Sequence, residues 1–279
     1  MRIAVSSIGE KVPLLKAVKD AMDRAGGGTL IGFDADEGCV GRRFVDEFYT
    51  RIEDAEYDFL IPTRDEELAW IGKYKGIVSN NTDRFGDKWE FYGLCKALGI
   101  KHPETSLDGK TLSTPVIEKP RFGAGSREVQ FHITRRHIAA TPEREKVYQE
   151  WVKGQEYTCD AYFDNGHNLH GLVLRSRDVV RGGESIITTV SGDSMLKDIC
   201  ADYLRRFGGL LGHVNMQLIG DTVIEVNPRV GGASTCAFAA GLDSIYWMIL
   251  EYYGQELPPF TERRVRQIRY KADMIEEVA

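Results

Sequence analysis

The sequence has no long hydrophobic run. Its most apolar stretch, Ile245-Tyr246-Trp247-Met248-Ile249-Leu250, is far short of the ~20 residues needed to span a bilayer, which argues against a membrane protein. Cysteine is sparse and odd in number, 5 residues with no C-x-x-C pair. Neither a disulfide framework nor a thiolate zinc site fits, and buried, reduced thiols in a cytoplasmic protein are expected. Basic charge is not in excess: 36 Lys+Arg stand against 42 Asp+Glu, a formal charge of −6. That balance argues against non-specific nucleic-acid binding. Internal repeats, a collagen period and low-complexity tracts are missing, and the opening Met1-Arg2-Ile3-Ala4-Val5 reads as a strand, not as a signal peptide. What is present is ordinary for a globular chain: 279 residues, 42% hydrophobic and 28% charged. This length suits one large or two modest domains that need no disulfide or metal for stability.

The first 82 residues alternate strand and helix signals. Strands are expected at Arg2–Ser6, Thr29–Phe33, Asp58–Ile61 and Gly76–Ser79, with helices at Pro13–Ala25 and Glu66–Lys75. Such alternation implies a small parallel sheet covered by helices. The turn cluster Asn80-Asn81-Thr82-Asp83 is a candidate boundary. Beyond it Phe91, Leu94, Cys95 and Leu98 fall at i, i+3, i+4, i+7, the core-facing stripe of a helix closed by Gly99. Strands are expected at Thr114–Glu118, Glu128–Ile133, Val147–Val152 and Tyr157–Phe163, the last turning at Asp164-Asn165-Gly166 into Leu169–Leu174. The apolar positions from Leu196 to Leu211 give a long amphipathic helix. Strands Val214–Ile219 and Val223–Asn227, a helix at Asp243–Tyr253 and a strand near Arg266–Tyr270 complete the order.

Three constellations carry chemistry. In Glu118-Lys119-Pro120-Arg121-Phe122-Gly123-Ala124-Gly125-Ser126-Arg127, a lysine ends an apolar strand and a glycine-bearing loop with two arginines follows. Glycines let backbone N–H groups approach an anion, and an ammonium neutralises phosphate oxygens. The spacing matches neither a P-loop nor a dinucleotide fingerprint, and a surface turn is the plain alternative. In Ile224-Glu225-Val226-Asn227-Pro228-Arg229, Glu225 and Asn227 share one strand face while Ile224 and Val226 share the other. A carboxylate and an amide there supply hard oxygen ligands suited to Mg2+. Gln217 joins them only if its strand pairs in the right register. A two-residue turn sets Gln217 opposite Ile224, and a three-residue loop sets it opposite Glu225, so a metal site predicts the longer loop with a bulge and a positive φ. The third segment, Tyr148 to Tyr157, reads as strand, glycine turn and strand, a connection whose backbone can meet a base edge.

In this order the segments resemble the ATP-grasp superfamily, in its carbamoyl-phosphate-synthase-like and carboxylate–amine ligase branch. Asp87-Lys88, Leu98-Gly99-Ile100, Pro103 and Thr105 match that branch's opening motif, and Ile224–Arg229 is its most specific element. The resemblance implies an α/β fold: a small N-terminal parallel α/β domain (1–82) before a two-lobed α+β ATP-grasp module (83–279), with a central lobe at about 107–152 and a C-terminal lobe at about 153–279. It implies ATP, with Mg2+ or Mn2+. Lys88 and Lys119 would contact phosphates, with Gly123, Gly125 and Ser126 in the loop above them. Glu150 and Val152 would meet adenine through backbone atoms and Glu156 the ribose. Gln217, Glu225 and Asn227 would hold metal, and Arg229, with Lys119, would be catalytic. An uncharged Gln217 departs from the family's usual acid and weakens a second metal. Arg175, Arg177 and Arg181 would orient a substrate carboxylate, with a solvated charged loop as the alternative, and Gly232 would offer an N–H to a developing oxyanion, with a simple strand-to-helix connection as the alternative. The implied activity is a ligase joining a small-molecule carboxylate to an amine, with a homodimer as one arrangement. A carbamoyl-phosphate-type phosphotransferase and a non-catalytic ATP-binding subunit are the competing readings.

Overall fold

A computed structural model describes residues 1–71, 82–123, 128–134 and 145–277. The expected strand at 76–79, the end of the second helix and the first half of the expected boundary at 80–83 lie outside these residues.

The N-terminal part carries β1 (Arg2–Val5), α1 (Val12–Arg24), β2 (Thr29–Phe33), β3 (Glu47–Tyr49), β4 (Phe59–Ile61) and α2 (Asp65–Ile71). The sheet order is β3-β2-β1-β4, and every pair is parallel. Its strands are runs of apolar residues because helices or loops cover both faces. Helix α1 starts with Pro13 in its first turn and buries Leu14, Leu15, Val18, Ala21 and Met22 as one stripe. After it the chain reverses through Gly26-Gly27-Gly28. At Gly28 a Cβ would stand 2.3 Å from the Met1 carbonyl oxygen, so only glycine lets β2 start beside β1.

Next come α3 (Thr82–Gly86), α4 (Lys88–Ala97), β5 (Thr105–Ser106), β6 (Val116–Pro120), β7 (Gln130–His132) and β8 (Lys146–Glu150). The four strands form an antiparallel sheet in the order β5-β8-β6-β7. Asp87 caps α4, accepting from the Trp89 N–H at 2.9 Å, and the Arg121 guanidinium clamps the same carboxylate at 2.8 and 2.6 Å. That clamp ties the start of α4 to the end of β6.

The rest is β9 (Glu156–Phe163), β10 (Leu169–Arg181), β11 (Glu184–Val190), α5 (Ser194–Phe207), β12 (Gly212–Ile219), β13 (Thr222–Asn227), α6 (Ser234–Ala239), α7 (Ser244–Tyr252) and β14 (Arg266–Ile268). The strands make one antiparallel sheet, β13-β12-β9-β10-β11-β14. Alternation sets its two faces. Cys159, Ala161, Met216, Leu218, Val223 and Val226 pack with α4 and α5. Tyr162 and Val173 face the other way, into a core shared with α6, α7 and helix α1 of the N-terminal part. The N-terminal sheet is therefore fused to the large sheet through common packing.

Two expectations change. The charged stretch 175–185 is not a loop: β10 runs to Arg181 and β11 returns from Glu184, around Gly182 and Gly183. Strand β3 was not expected, because three residues give no usable alternation. None of the described helices is long and apolar enough to cross a membrane.

Candidate nucleotide and metal site

A cleft of about 850 Å³ opens between the four-stranded sheet and the polar face of the six-stranded sheet. One wall carries Lys88, Lys119 and the β8 end, the other Gln217, Glu225, Asn227 and Arg229.

The β12–β13 hairpin decides the second wall. Its turn is the shorter one: Ile219 pairs with Thr222 around Gly220-Asp221, with Gly220 at φ 58. The three-residue loop is thus overturned, yet Gln217 still pairs with Glu225, because a bulge between Leu218↔Val223 and Gln217↔Glu225 takes up Ile224 as the extra residue. The bulge also corrects the face assignment. Val223 and Val226 enter the core, while Ile224 lines the cleft with Glu225 and Asn227. Glu225 Oε1 accepts from Gln217 Nε2 at 2.6 Å and from Asn227 Nδ2 at 3.1 Å. The three expected metal ligands thus converge on one point. A segment sequence reasoning missed braces them: the Val223 N–H donates to the Lys101 carbonyl at 2.9 Å, and Lys101 Nζ pairs with Asp221 at 2.5 Å.

Lys119 lies opposite, at the end of β6. No hydrogen bond or ion pair joins it to a described residue; burial pushes its ammonium down to about 8, against the pull of Glu225 and with the Lys88 charge adding to the push. Lys88 Nζ donates to the Gly123 carbonyl at 2.8 Å. Burial lowers it as well, opposed by Glu225, Asp65 and Asp87. Two lysines whose charge is poorly compensated thus share Glu225 as their common carboxylate, an arrangement that attracts anions. Gly123 adopts φ 97, while Gly125 and Ser126 lie outside the described residues.

At the β8 end the Glu150 N–H is already taken by the Glu104 carbonyl at 2.9 Å. The Val152 N–H has no partner among the described residues, so of the two expected base-edge positions its donor is the one left open. Glu156 pairs with Arg177 at 3.0 Å, so a ribose would share it with that guanidinium.

The far end of the cleft is richer in paired charge than expected. Arg229 forks onto Asp65 of α2 at 2.7 and 2.6 Å, a contact spanning 164 residues that no spacing could announce. Arg175 is 2% exposed and pairs with Asp160 at 2.7 Å. Arg175 and Arg177 both line the cleft. Arg181 does not: two register shifts between Arg177 and Val180 break the alternation, leaving Arg181 exposed at the hairpin tip, outside the cleft. Gly232 lines the cleft, but its carbonyl is engaged, accepting from Arg269 Nη2 at 2.6 Å, while Arg269 Nη1 pairs with Glu184 at 2.7 Å. Arg269, just past β14, closes this end. Asp65, Asp160 and Arg269 are the functional candidates the sequence hid.

Known proteins share this fold. The family model described as ATP-grasp domain matches residues 85–233, more than half of the chain. The chain belongs to the ATP-grasp family. ATP binding follows from that membership. Among solved structures, biotin carboxylase from Campylobacter jejuni superposes with a TM-score of 0.73 at 16% identity, covering 92% of this chain and 72% of that one. N5-carboxyaminoimidazole synthetase from Staphylococcus aureus, complexed with ADP, gives 0.74 at 16% identity, covering 92% and 78%. L-amino acid ligase from Bacillus licheniformis gives 0.69 at 14%, covering 91% and 74%. At such low identity these superpositions show a shared fold alone.

Proposed function

We propose that this ATP-grasp protein is an ATP- and Mg2+-dependent ligase that activates a carboxylate as an acyl phosphate and couples it to an amine, on small amino-acid-like substrates. The observation that carries this reading is the convergence of Gln217, Glu225 and Asn227 on one point facing Lys88 and Lys119, with Arg229 and the Arg175–Arg177 strand face further along the same cleft. Ligases with this fold act on acids and amines, an L-amino acid ligase among them.

A carboxylate is a poor acylating agent because its leaving group would be oxide. In the proposed reaction an acid oxygen attacks the γ-phosphorus of ATP, the bond to ADP breaks, and an acyl phosphate forms. The amine then attacks the carbonyl carbon, phosphate leaves with the bonding pair, and the amine loses a proton. Phosphoryl transfer asks mainly for positioning and charge stabilisation. Lys88 and Lys119 would meet phosphate oxygens and Arg229 the transferring group, its plane set by Asp65. Glu156 would hold the ribose, Val152 the base edge, and Arg175 and Arg177 the substrate carboxylate.

The donor set fits a hard cation. One carboxylate and two amide oxygens suit Mg2+ when phosphate oxygens and water complete its shell. Among the described residues no group of three or more His, Cys, Asp or Glu is placed to hold a metal ion. Either amide needs only a half-turn to present its oxygen where its nitrogen now sits. Bound there, Mg2+ would neutralise phosphate charge. In this reading residues 1–82 form a unit that supplies Asp65, and 83–279 form the two-lobed module, with lobes at about 107–152 and 153–279. An ADP-release screen with pooled amino acids and amines, followed by mass spectrometry of the product, tests the reading. Release that requires both an acid and an amine supports it. Release with the acid alone points to a kinase, and nucleotide binding without turnover refutes ligase activity.

A further inference from the structure

Behind the acceptor end lies a polar centre that the reaction above leaves unused. Asp160 of β9 is fully buried. Its Oδ2 accepts from Arg175 Nε at 2.7 Å. Its Oδ1 is reached by Ser234 Oγ at 2.6 Å, Asn215 Nδ2 at 2.9 Å and His213 Nε2 at 3.1 Å. His213 Nδ1 in turn meets Ser244 Oγ at 2.8 Å. The Ser–His–Asp composition invites a nucleophile, but Ser234 and Ser244 are both fully buried and out of a substrate's reach.

The bonds have a direction. The Gly231 N–H donates to Ser234 Oγ at 2.9 Å, so that hydroxyl spends its proton on Asp160. The Gly231–Gly232 segment that follows Arg229 is thereby tied to the carboxylate. On the other side Arg175 gives Nε to Asp160 and Nη1 to Thr188 Oγ1 at 3.4 Å, leaving Nη2 without a partner among the described residues, on a side chain that lines the cleft. One buried anion thus fixes both flanks of the acceptor end. Burial works against its ionisation, yet the Arg175 charge and the bonds from His213 and Ser234 outweigh that and hold its carboxyl far below the usual range. A buried pair of this kind contributes little net stability compared with apolar replacements, whereas it restricts geometry strongly.

We propose that Asp160 is a positioning residue for the acceptor end: it grips Arg175 by Nε so that the free edge of the guanidinium meets the substrate carboxylate, and through Ser234 it fixes the peptide loop beside Arg229. The identity of the anion as the substrate acid rests on the ligase reading above.

The test uses the full chain with Asp160→Asn, Asp160→Glu, Arg175→Lys, Ser234→Ala and the Asp160→Asn/Arg175→Lys double variant. With an acid found in the ADP-release screen, Asp160→Asn and Arg175→Lys should each raise the acid KM at least tenfold, with ATP affinity changed less than threefold. The double variant should be no worse than its poorer parent, since both act through one guanidinium. Ser234→Ala, which leaves the Arg175 bond in place but removes the loop link together with a contact to His213 Nε2 at 3.0 Å, should lower kcat at least fivefold with the acid KM nearly unchanged. If Asp160→Asn does not fold, Asp160→Glu keeps the charge but displaces the guanidinium, and should raise the acid KM by the same order. An unchanged acid KM in a folded Asp160 variant, or additive effects in the double variant, overturns the proposal. A separate arm reads binding without turnover: malonate, titrated against the ADP-bound protein by thermal unfolding, should stabilise wild type and do so at least tenfold less tightly in Asp160→Asn and Arg175→Lys. Malonate binding that is indifferent to both residues overturns the positioning role whether or not the ligase reading stands. Malonate binding that depends on both, in a protein with no acid-dependent turnover, upholds it while the ligase reading fails.

Discussion

Lys119 offers the sharpest quantitative test. Burial, with the Lys88 charge nearby, lowers its ammonium from 10.5 to about 8, and Glu225 recovers only part of the loss. Phosphate binding needs the charged form, which is favoured below the folded pKa, so affinity must fall as pH rises. With one controlling group near 8, roughly nine-tenths of the lysine is charged at pH 7 and about one-tenth at pH 9, giving an affinity ratio on the order of tenfold across that range. Lys88 is lowered in the same direction and steepens the decline. The assay is calorimetric titration of ATP with Mg2+ at fixed ionic strength and without acid or amine, which keeps the ionisation of a substrate amine out of the result. Lys119→Arg supplies the control, because a guanidinium stays charged throughout this range and should flatten the profile. The stability sign runs the other way. The depressed ammonium is a liability when charged, so apo stability should rise between about pH 8 and 10.5, as the folded chain sheds a proton the unfolded chain keeps. A wild-type affinity flat from pH 7 to 9, or a Lys119→Arg profile matching wild type, would falsify the reasoning.

Three further outcomes are expected. Glu225→Gln removes the carboxylate on which Gln217 and Asn227 converge, and should abolish Mg2+-dependent ADP release while circular dichroism and the melting temperature stay close to wild type. Asp65→Asn keeps one acceptor oxygen but removes the second, charged hydrogen bond that sets the Arg229 plane; with a charged bond contributing roughly 1.5–3 kcal/mol, kcat should drop about tenfold to a hundredfold while ATP affinity moves little, and equal losses in both would contradict a role through Arg229. Trp247→Ala empties a site bounded by Tyr162, His170 and Phe260 in the shared core, and should cost about 3–5 kcal/mol in urea unfolding.

What the sequence showed and what it hid follow from range. The stripe of α1, the hydrophobic strands β1 and β2, the capped start of α4 and the Lys119 and Glu225–Arg229 elements are local patterns, and each is where spacing puts it. The second half of β10 was hidden for a physical reason. Arg175 and Arg177 face a polar cleft, so their strand loses the apolar alternation that announces a half-buried strand. Asp65 and Asp160 were hidden differently: Asp65 meets Arg229 across 164 residues, and Asp160 meets Arg175 across the β9–β10 pairing, in a register that spacing alone does not give. The hairpin of β12 and β13 shows how narrow the margin is. Side chains alternate every residue, so a plain turn of this length would have sent Gln217 to face Ile224 and left Glu225 without a partner. The bulge at Ile224, held by the Lys101 carbonyl on the Val223 N–H, restores the register. Local periodicity could require that some irregularity exist if the three oxygen donors were to meet; that the extra residue sits in the strand and not in the turn goes with a contact from outside the hairpin altogether, the Lys101 carbonyl on the Val223 N–H.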